Sequence, residues 1–432
     1  MNIIKKIIEW ELRVLAGLVL SRYKPKVIGL TGSVGKTSTK EAIYKVLDPN
    51  FKTWKNIKNY NNEIGVPLSI LGMESANRNP FMWGWVFFKA IGILIVRNKK
   101  YPEMLILEMG ADKPGDIKYL VDFAKCHVGV VTAIGAAHLE LFGSVEKVAR
   151  EKQNIVSHLK VGDYAVLNID DEMVMKMKEK TRAQVITYGF DDEADIRASG
   201  LDISAGPSSD PWIDMQIKGI SFKLHYKGAI APVFLPKTLG KHQVYSALAA
   251  AAVGVSQGIN IVDIAESLRE SYPPAGRMRL IAGIKHTSII DDTYNSSPLA
   301  SKAALNVLHE IKVSGRKIVA MGDMLELGDY TEQGHRDVGM YVAEAADILV
   351  TSGESGKIIA KAAIESGMLV DNVFTFPDPE SAGRFIQDKI KKGDIILVKG
   401  SQGARMEKVV KELMAEPQKA EELLVRQIKE WQ

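Results

Sequence analysis

The sequence predicts an α/β protein, with a P-loop parallel-sheet central domain of the ATPase type, a small antiparallel β insertion, and a Rossmann-like C-terminal domain. Three observations predict it. Strand-length apolar runs alternate with helical patterns along most of the chain. The first run, VIGLTG, passes through the glycine-rich SVGKTS straight into a helical pattern, the context that makes a phosphate loop. The alternation breaks at PPAG (273–276) and then starts again. The expected organisation is an N-terminal amphipathic helix (1–25), a central domain (26–275) with an apolar insertion at about 77–100, and a C-terminal domain (276–432).

The elements can be justified in order. Ile3, Ile4, Ile7, Ile8, Leu15, Leu18 and Val19 recur at helical spacing, with Lys5, Lys6, Glu9 and Arg13 between them. VIGLTG is a strand and KTSTKEAIYKVL a helix. FMWGWVFFKAIGILIV, residues 81–96, is followed by RNKK and is short for a bilayer span, which needs about 20 residues. Two readings of the apolar helices stand side by side: both pack on the protein and on each other, or they form a peripheral anchor at a membrane surface. MLILEMG, VGVVTAI, YAVLNID and QVITYGF read as buried parallel strands. Over 195–235 helical periodicity fades, and DISAG, WIDMQIKG and ISFKLHYKG read as short antiparallel strands with glycine turns. HQVYSALAAAAVGVSQG and IVDIAESLRESY are helices. After PPAG, the strands TSIIDD, RKIVAMG, DILVTSG, NVFTFP and DIILVKG are separated by helical stretches, and a charged helix closes the chain.

Composition sets the class. Apolar residues make up 46% and charged residues 25%, as in globular proteins. A net charge of +4 is small for this size and gives no reason to expect nucleic acid, which normally calls for a clustered basic stripe. One cysteine, Cys126, excludes an intrachain disulfide and argues against a cysteine metal site, so a cytoplasmic location is expected. The N-terminal stretch is broken by Glu9, Glu11 and Arg13 and does not read as a secretory signal.

The chemistry concentrates at strand ends. Gly32 and Gly35 let backbone N–H groups approach phosphates at a helix N-terminus. Lys36 would reach the β/γ-phosphates and the Thr37 hydroxyl would bind Mg²⁺. Glu108 closes MLILE, His138 follows VVTAIGAA, and Asp291 and Asp292 close TSIIDD. A carboxylate at the end of a strand beside a phosphate loop is a natural ligand for magnesium, which takes hard oxygens. Singly, each of these polar residues reads equally well as a cap or a turn former.

TGSVGKTSTKE, NYNNEIGVPLSIL, LEMGAD, AIGAAHLELFGSVEKVAREK, DDTYNSSP, MGDMLELG and VKGSQGARMEKVV follow the order and rough spacing found in the Mur ligases, which this sequence resembles over about 400 residues. Members that add D-alanyl-D-alanine to a muramoyl-tripeptide are the most similar. The family's shortened loop accounts for Leu30 standing where a longer phosphate loop has glycine. The resemblance implies an ATP-dependent amide ligase acting through an acyl phosphate in peptidoglycan synthesis, with ATP and two Mg²⁺ ions. It implies that Gly32, Ser33, Gly35, Lys36, Thr37 and Ser38 form the nucleotide loop, with Asn59, Asn61 and Asn62 near the phosphates. Thr37, Glu108, His138 and Lys152 would serve the metal ions, with Lys152 carbamylated. By sequence alone Lys152 is an ordinary helix-surface lysine. Arg277 would reach the ATP phosphates, Asp292, Tyr294 and Asn295 would contact the nucleoside, and Lys399 and Ser401 would face the cleft.

The substrates implied are a muramoyl-peptide carboxylate and D-alanyl-D-alanine, handled by a monomer. Departures from the family pattern keep alternatives open. Only about 25 residues precede the loop, so the domain that usually holds the UDP group is expected to be absent. Gln243 and Ser246 stand where asparagines are usual, Ser297 replaces the second asparagine of NANP, and Leu299 stands where diaminopimelate-adding relatives carry a basic residue. The first alternative is a related ligase or amidating enzyme acting on a lipid-linked or non-peptidoglycan carboxylate. Folylpolyglutamate-type ligation, which shares the scaffold, and a non-catalytic nucleotide-dependent scaffold are the others.

Overall fold

The structure, a computed structural model, describes residues 3–56, 60–76, 79–135, 139–207 and 215–427. Six strands run parallel: β1 (Lys26–Thr31), β2 (Thr53–Lys55), β3 (Met104–Glu108), β4 (Val128–Val131), β5 (Tyr164–Asn168) and β6 (Gln184–Gly189). Three more, β7 (Ile196–Pro207), β8 (Met215–Tyr226) and β9 (Ala229–Pro236), complete one nine-stranded sheet in the order β2-β3-β1-β4-β5-β6-β7-β8-β9. β3 and β4 are buried at every position, as parallel strands covered on both faces must be.

Sequence reading finds most of this sheet but misses its edges. β2 is three residues long, too short for a periodic signal. β7 joins β6 in parallel, so the antiparallel β7–β9 segment extends the main sheet. The two segments read as separate strands around Gly219 are largely one strand, β8. Gly219 is not a turn: a Cβ there would lie 2.1 Å from the Leu235 carbonyl oxygen, so glycine permits β9 to pack close. β9 itself was not expected.

Seven helices matter for the site: α1 (Ile3–Tyr23), α2 (Lys36–Leu47), α3 (Gly65–Leu71), α4 (Pro80–Ile95), α5 (Asp116–Phe123), α6 (Leu139–Phe142) and α7 (Val145–Lys152). α1, α3, α4, α5 and α7 contribute to the core on one face of the sheet; α2 with the helices Lys241–Ser256 and Ile261–Leu268 covers the other. Asn79 caps α4 by accepting from the Phe81 and Met82 amides, and Pro80 supplies a first-turn residue that needs no N–H partner. α1 and α4 pack on the sheet and on each other. Leu12, Ala16, Val19, Val86 and Ala90 point inward, and the Tyr23 hydroxyl donates to the Ile93 carbonyl at 3.0 Å. No described helix is long and apolar enough to cross a membrane.

A second sheet follows: β10 (Arg279–Gly283), β11 (Thr287–Asp292), β12 (Lys317–Gly322), β13 (Ile348–Ser352), β14 (Val373–Phe376) and β15 (Ile395–Lys399), in the order β10-β11-β15-β12-β13-β14. It is parallel except for β10, an antiparallel edge strand that sequence reading did not predict. Cores lie on both of its faces.

Candidate active site

β1 lies between β3 and β4, so the chain leaving its carboxyl end opens into the crevice where such sheets bind ligands. The loop there needs its glycines. Gly35 caps α2 at φ +82°, and a Cβ on Gly32 would stand 1.8 Å from the Thr132 hydroxyl. Thr132 fixes the loop by donating to the Val34 carbonyl at 2.6 Å, and the Ser33 hydroxyl meets the Gly135 backbone at 3.0–3.1 Å.

Lys36, the first residue of α2, turns its amine onto its own loop and donates to the carbonyl oxygens of Gly32 (2.8 Å) and Ser33 (3.4 Å). Burial holds it below the ordinary lysine range, with Glu108 opposing the shift and Arg277 adding to it. Thr37 donates to Glu108 Oε2 at 3.1 Å, and Arg277 Nη2 lies 3.1 Å from the same Thr37 hydroxyl. Glu108 is further held by Asn61, whose Nδ2 is 3.4 Å from Oε1, and by Lys40, whose Nζ is 3.8 Å from Oε2. Two hard oxygens side by side, from Thr37 and Glu108, suit Mg²⁺, which needs few protein ligands.

Arg277 joins the two sheets. Its guanidinium stacks over the Tyr294 ring at 4.1 Å, and its Nε is buried without a hydrogen-bond partner. A buried unpaired guanidinium nitrogen beside a phosphate loop fits an anionic ligand. Behind it, Lys399 Nζ pairs with Asp292 Oδ2 at 2.6 Å and donates to the Asn295 carbonyl at 3.0 Å. Ser401 donates to the Ser296 carbonyl at 3.2 Å and accepts from the Leu325 amide at 2.8 Å.

Lys152 is 4% exposed at the last position of α7, where the helix end would favour a cation. Burial, with the charge of Lys36 added, brings its amine down to about 7, against the opposing pull of Glu151 and Asp112. Glu151 is fully engaged elsewhere: its carboxylate accepts the amides of Gly115 (2.8 Å) and Ile117 (2.7 Å), which shapes the loop before α5. One cleft is lined by Gly32, Ser33, Lys36, Asn62, Asp112 and Lys152, among others. A smaller pocket joins Ser38 to Gln243 and Ser246, beside Tyr272 and Pro273.

The structure thus brings Ser33, Lys36, Thr37, Glu108, Lys152, Arg277 and Tyr294 around one crevice. Asn62 lines the cleft while its Oδ1 caps α3 through the amides of Ile64 and Gly65. Asn59 and His138 lie outside the described residues, and no three His, Cys, Asp or Glu side chains converge among the described ones. Lys40, Asp112 and Arg426 were not singled out by sequence. Arg426 Nη1 donates to the Tyr294 carbonyl at 3.1 Å and Nη2 to that of Thr293 at 2.5 Å, while Nη2 also pairs with Glu407 at 2.7 Å.

Residues 30–83 and 89–254 match the Mur ligase middle domain, and residues 276–402 match the Mur ligase, glutamate ligase domain. The chain belongs to the Mur ligase family. It is 32% identical over 407 residues to the UDP-N-acetylmuramoyl-tripeptide–D-alanyl-D-alanine ligase of Bacillus subtilis, covering 94% of this chain and 79% of that one. Among solved structures, MurF of Acinetobacter baumannii superposes with a TM-score of 0.75 at 28% identity, covering 92% of this chain and 79% of its own. MurF of Thermotoga maritima in complex with ADP gives 0.76 at 26%, covering 94% and 84%. As a Mur ligase, the protein is an ATP-dependent ligase, which places the phosphate-loop geometry in its chemical setting.

Proposed function

We propose that this Mur ligase adds D-alanyl-D-alanine to a muramoyl-tripeptide in peptidoglycan synthesis, forming an amide bond at the expense of ATP. The observation that carries this reading is the junction at Thr37, where the phosphate loop and Glu108 of the first sheet meet Arg277, which leads into the second. The relatives named for this reaction support the choice of substrates. The acceptor carboxylate oxygen attacks the γ-phosphorus and ADP departs. The amine nitrogen then attacks the acyl carbon, the bond from that carbon to the phosphate oxygen breaks, phosphate leaves, and the surplus amine proton passes to solvent.

Within this reading Lys36 and Arg277 hold the phosphates, and Gly32, Ser33, Gly35 and Ser38 shape the loop around them. Thr37 and Glu108 hold Mg²⁺, which offsets the charge crowded between phosphate and carboxylate. Asp292, Tyr294 and Asn295 border the nucleoside, with Gln243 and Ser246 on the side of the base. Lys152 takes up CO₂: its neutral amine gives a carbamate and one proton, supplying an anionic oxygen donor for a second ion. The protein acts as a monomer in the cytoplasm, in peripheral contact with the inner face of the membrane.

Mass spectrometry of the product tests the reaction directly. Purified protein is mixed with Mg²⁺-ATP, bicarbonate, D-alanyl-D-alanine and UDP-muramoyl-tripeptide. A pentapeptide product that forms only with ATP supports the reading. Phosphate release without that product, restored by a different acceptor, would keep the ATP chemistry and replace the named substrate.

A further inference from the structure

We propose that the outward faces of α1 and α4 form one apolar ledge that seats on the surface of an anionic lipid bilayer. The inference deepens the peripheral-contact reading and is independent of the ligation chemistry. On α1, Ile7, Trp10, Val14 and Leu18 recur every three or four residues and face solvent, opposite the buried Leu12, Ala16 and Val19. On α4, Phe81 (89% exposed), Trp85, Phe88 (67%), Ile91 and Ile95 (73%) make the second stripe, opposite Val86 and Ala90. A helix apolar on both faces is not fully partnered by its own core. The exposed surface of α4 carries one charge, Lys89, whose amine lies 5.3 Å from the Trp85 ring.

Charge selects the occupant. Glu11 is the one carboxylate at the spacing of the α1 stripe, and none occurs between Glu74 and Glu103, whereas Lys89, Arg97, Lys99 and Lys100 lie in that span. The carboxyl ends of both helices meet through the Tyr23 hydroxyl, which donates to the Ile93 carbonyl and accepts from the Asn98 amide at 2.7 Å. Exposed Arg22 and Lys24 are therefore gathered with Arg97, Lys99 and Lys100 at one end of the ledge. A groove there is lined by Lys24, Lys26, Arg97 and Lys99, with Glu103 as its one carboxylate. Aromatic rings beside a cationic rim match an interface of acyl chains and anionic headgroups. A second copy of the chain would bring the same positive rim.

Orientation follows from α1. Lys5 approaches Glu63 at 3.7 Å and Arg13 stacks over Tyr119 at 4.5 Å, and both Glu63 and Tyr119 line the cleft with Lys36 and Lys152. A protein seated on this ledge therefore holds the cleft close to the lipid surface.

The test is cosedimentation of the full chain with vesicles of phosphatidylcholine alone and of phosphatidylcholine mixed with phosphatidylglycerol, at low and high salt. The wild type should bind the anionic vesicles, less at high salt because the headgroup field is screened, and bind neutral ones weakly. Trp85→Glu/Phe88→Glu should lose roughly tenfold or more in partitioning. Arg97→Ser/Lys99→Ser/Lys100→Ser should lose roughly a hundredfold. Both variants should keep the wild-type melting temperature and ATP turnover. Equal binding to neutral and anionic vesicles would overturn the anionic surface while keeping peripheral contact. No binding to either, or variants that bind like the wild type, would overturn both. Sedimentation velocity showing a wild-type dimer that Trp85→Glu/Phe88→Glu converts to monomer would assign the ledge to a second copy instead.

Discussion

Lys152→Arg keeps the helix but replaces an amine that is held near neutrality in the cleft with a guanidinium that stays charged and takes up no CO₂. The magnitude follows from its environment. An ordinary lysine at 10.5 has roughly three neutral amines in ten thousand at pH 7. At about 7, roughly half are neutral, a gain on the order of a thousandfold in the form that reacts with CO₂. The sign is fixed by the chemistry: protonation blocks the carbamate, so the reactive fraction falls about tenfold for each pH unit below 7 and levels off above it. We expect enzyme held at pH 6 without bicarbonate to lose activity and to regain it on returning to pH 8 with bicarbonate. Lys152→Arg should lose a factor of roughly a hundred or more in kcat, as when an electrostatic stabiliser is removed, and should gain nothing from bicarbonate. Lys152→Ala leaves space for a small carboxylate, so formate should restore part of its rate. The direct observation is a carbamate carbon resonance after exchange into ¹³C-bicarbonate, present in wild type and absent in both variants. Full activity in Lys152→Arg, or a wild-type spectrum without that resonance under conditions of full turnover, would refute the reasoning.

Two further expectations follow from geometry. Gly32→Ala places a methyl group 1.8 Å from the Thr132 hydroxyl, so the loop must shift; ATP affinity should fall at least roughly tenfold by nucleotide titration, with the fold intact by circular dichroism. Arg426→Ala removes a 5%-exposed side chain that ties Glu407 to the Thr293 and Tyr294 carbonyls. Glu407 keeps its pairing with Arg405 Nε at 2.6 Å, so stability should fall by about 2 kcal/mol in urea unfolding, and adding Glu407→Ala should cost less than the sum of the single changes.

The fold was legible wherever burial writes itself into the sequence. β1, β3, β4, β5 and β6 are apolar because helices cover both faces, and each run could be read without knowing its neighbours. β2 and β10 carry no such signal, since one is too short and the other is an edge strand whose outer side makes only isolated bridges, to Thr238 and Met414. The β8 segment was divided because glycine usually marks a turn, whereas Gly219 admits the backbone of β9. The phosphate loop was equally legible, because its residues are adjacent in sequence and the strand before it and the helix after it are strong.

The rest of the site is assembled from distant residues, and there composition and spacing are silent. Arg277 reaches Thr37 across 240 positions and Lys399 reaches Asp292 across 107. Resemblance could point to Arg277 and Lys399, but it could not show what holds them. Lys40 is 2% exposed and sits beside Glu108, and Arg426 braces the loop under Tyr294; each reads in sequence as one more surface cation. These second partners have a physical consequence. Leaving the Arg277 Nε buried and unpaired costs about 1–3 kcal/mol, and the stacking on Tyr294 keeps the guanidinium from turning toward water. Lys36 meanwhile spends its hydrogen bonds on two loop carbonyls. A phosphate oxygen can satisfy the Nε outright, whereas it must compete with those carbonyls for Lys36. The anion therefore relieves at Arg277 a cost that Lys36, with two of its three N–H groups already engaged, has largely met.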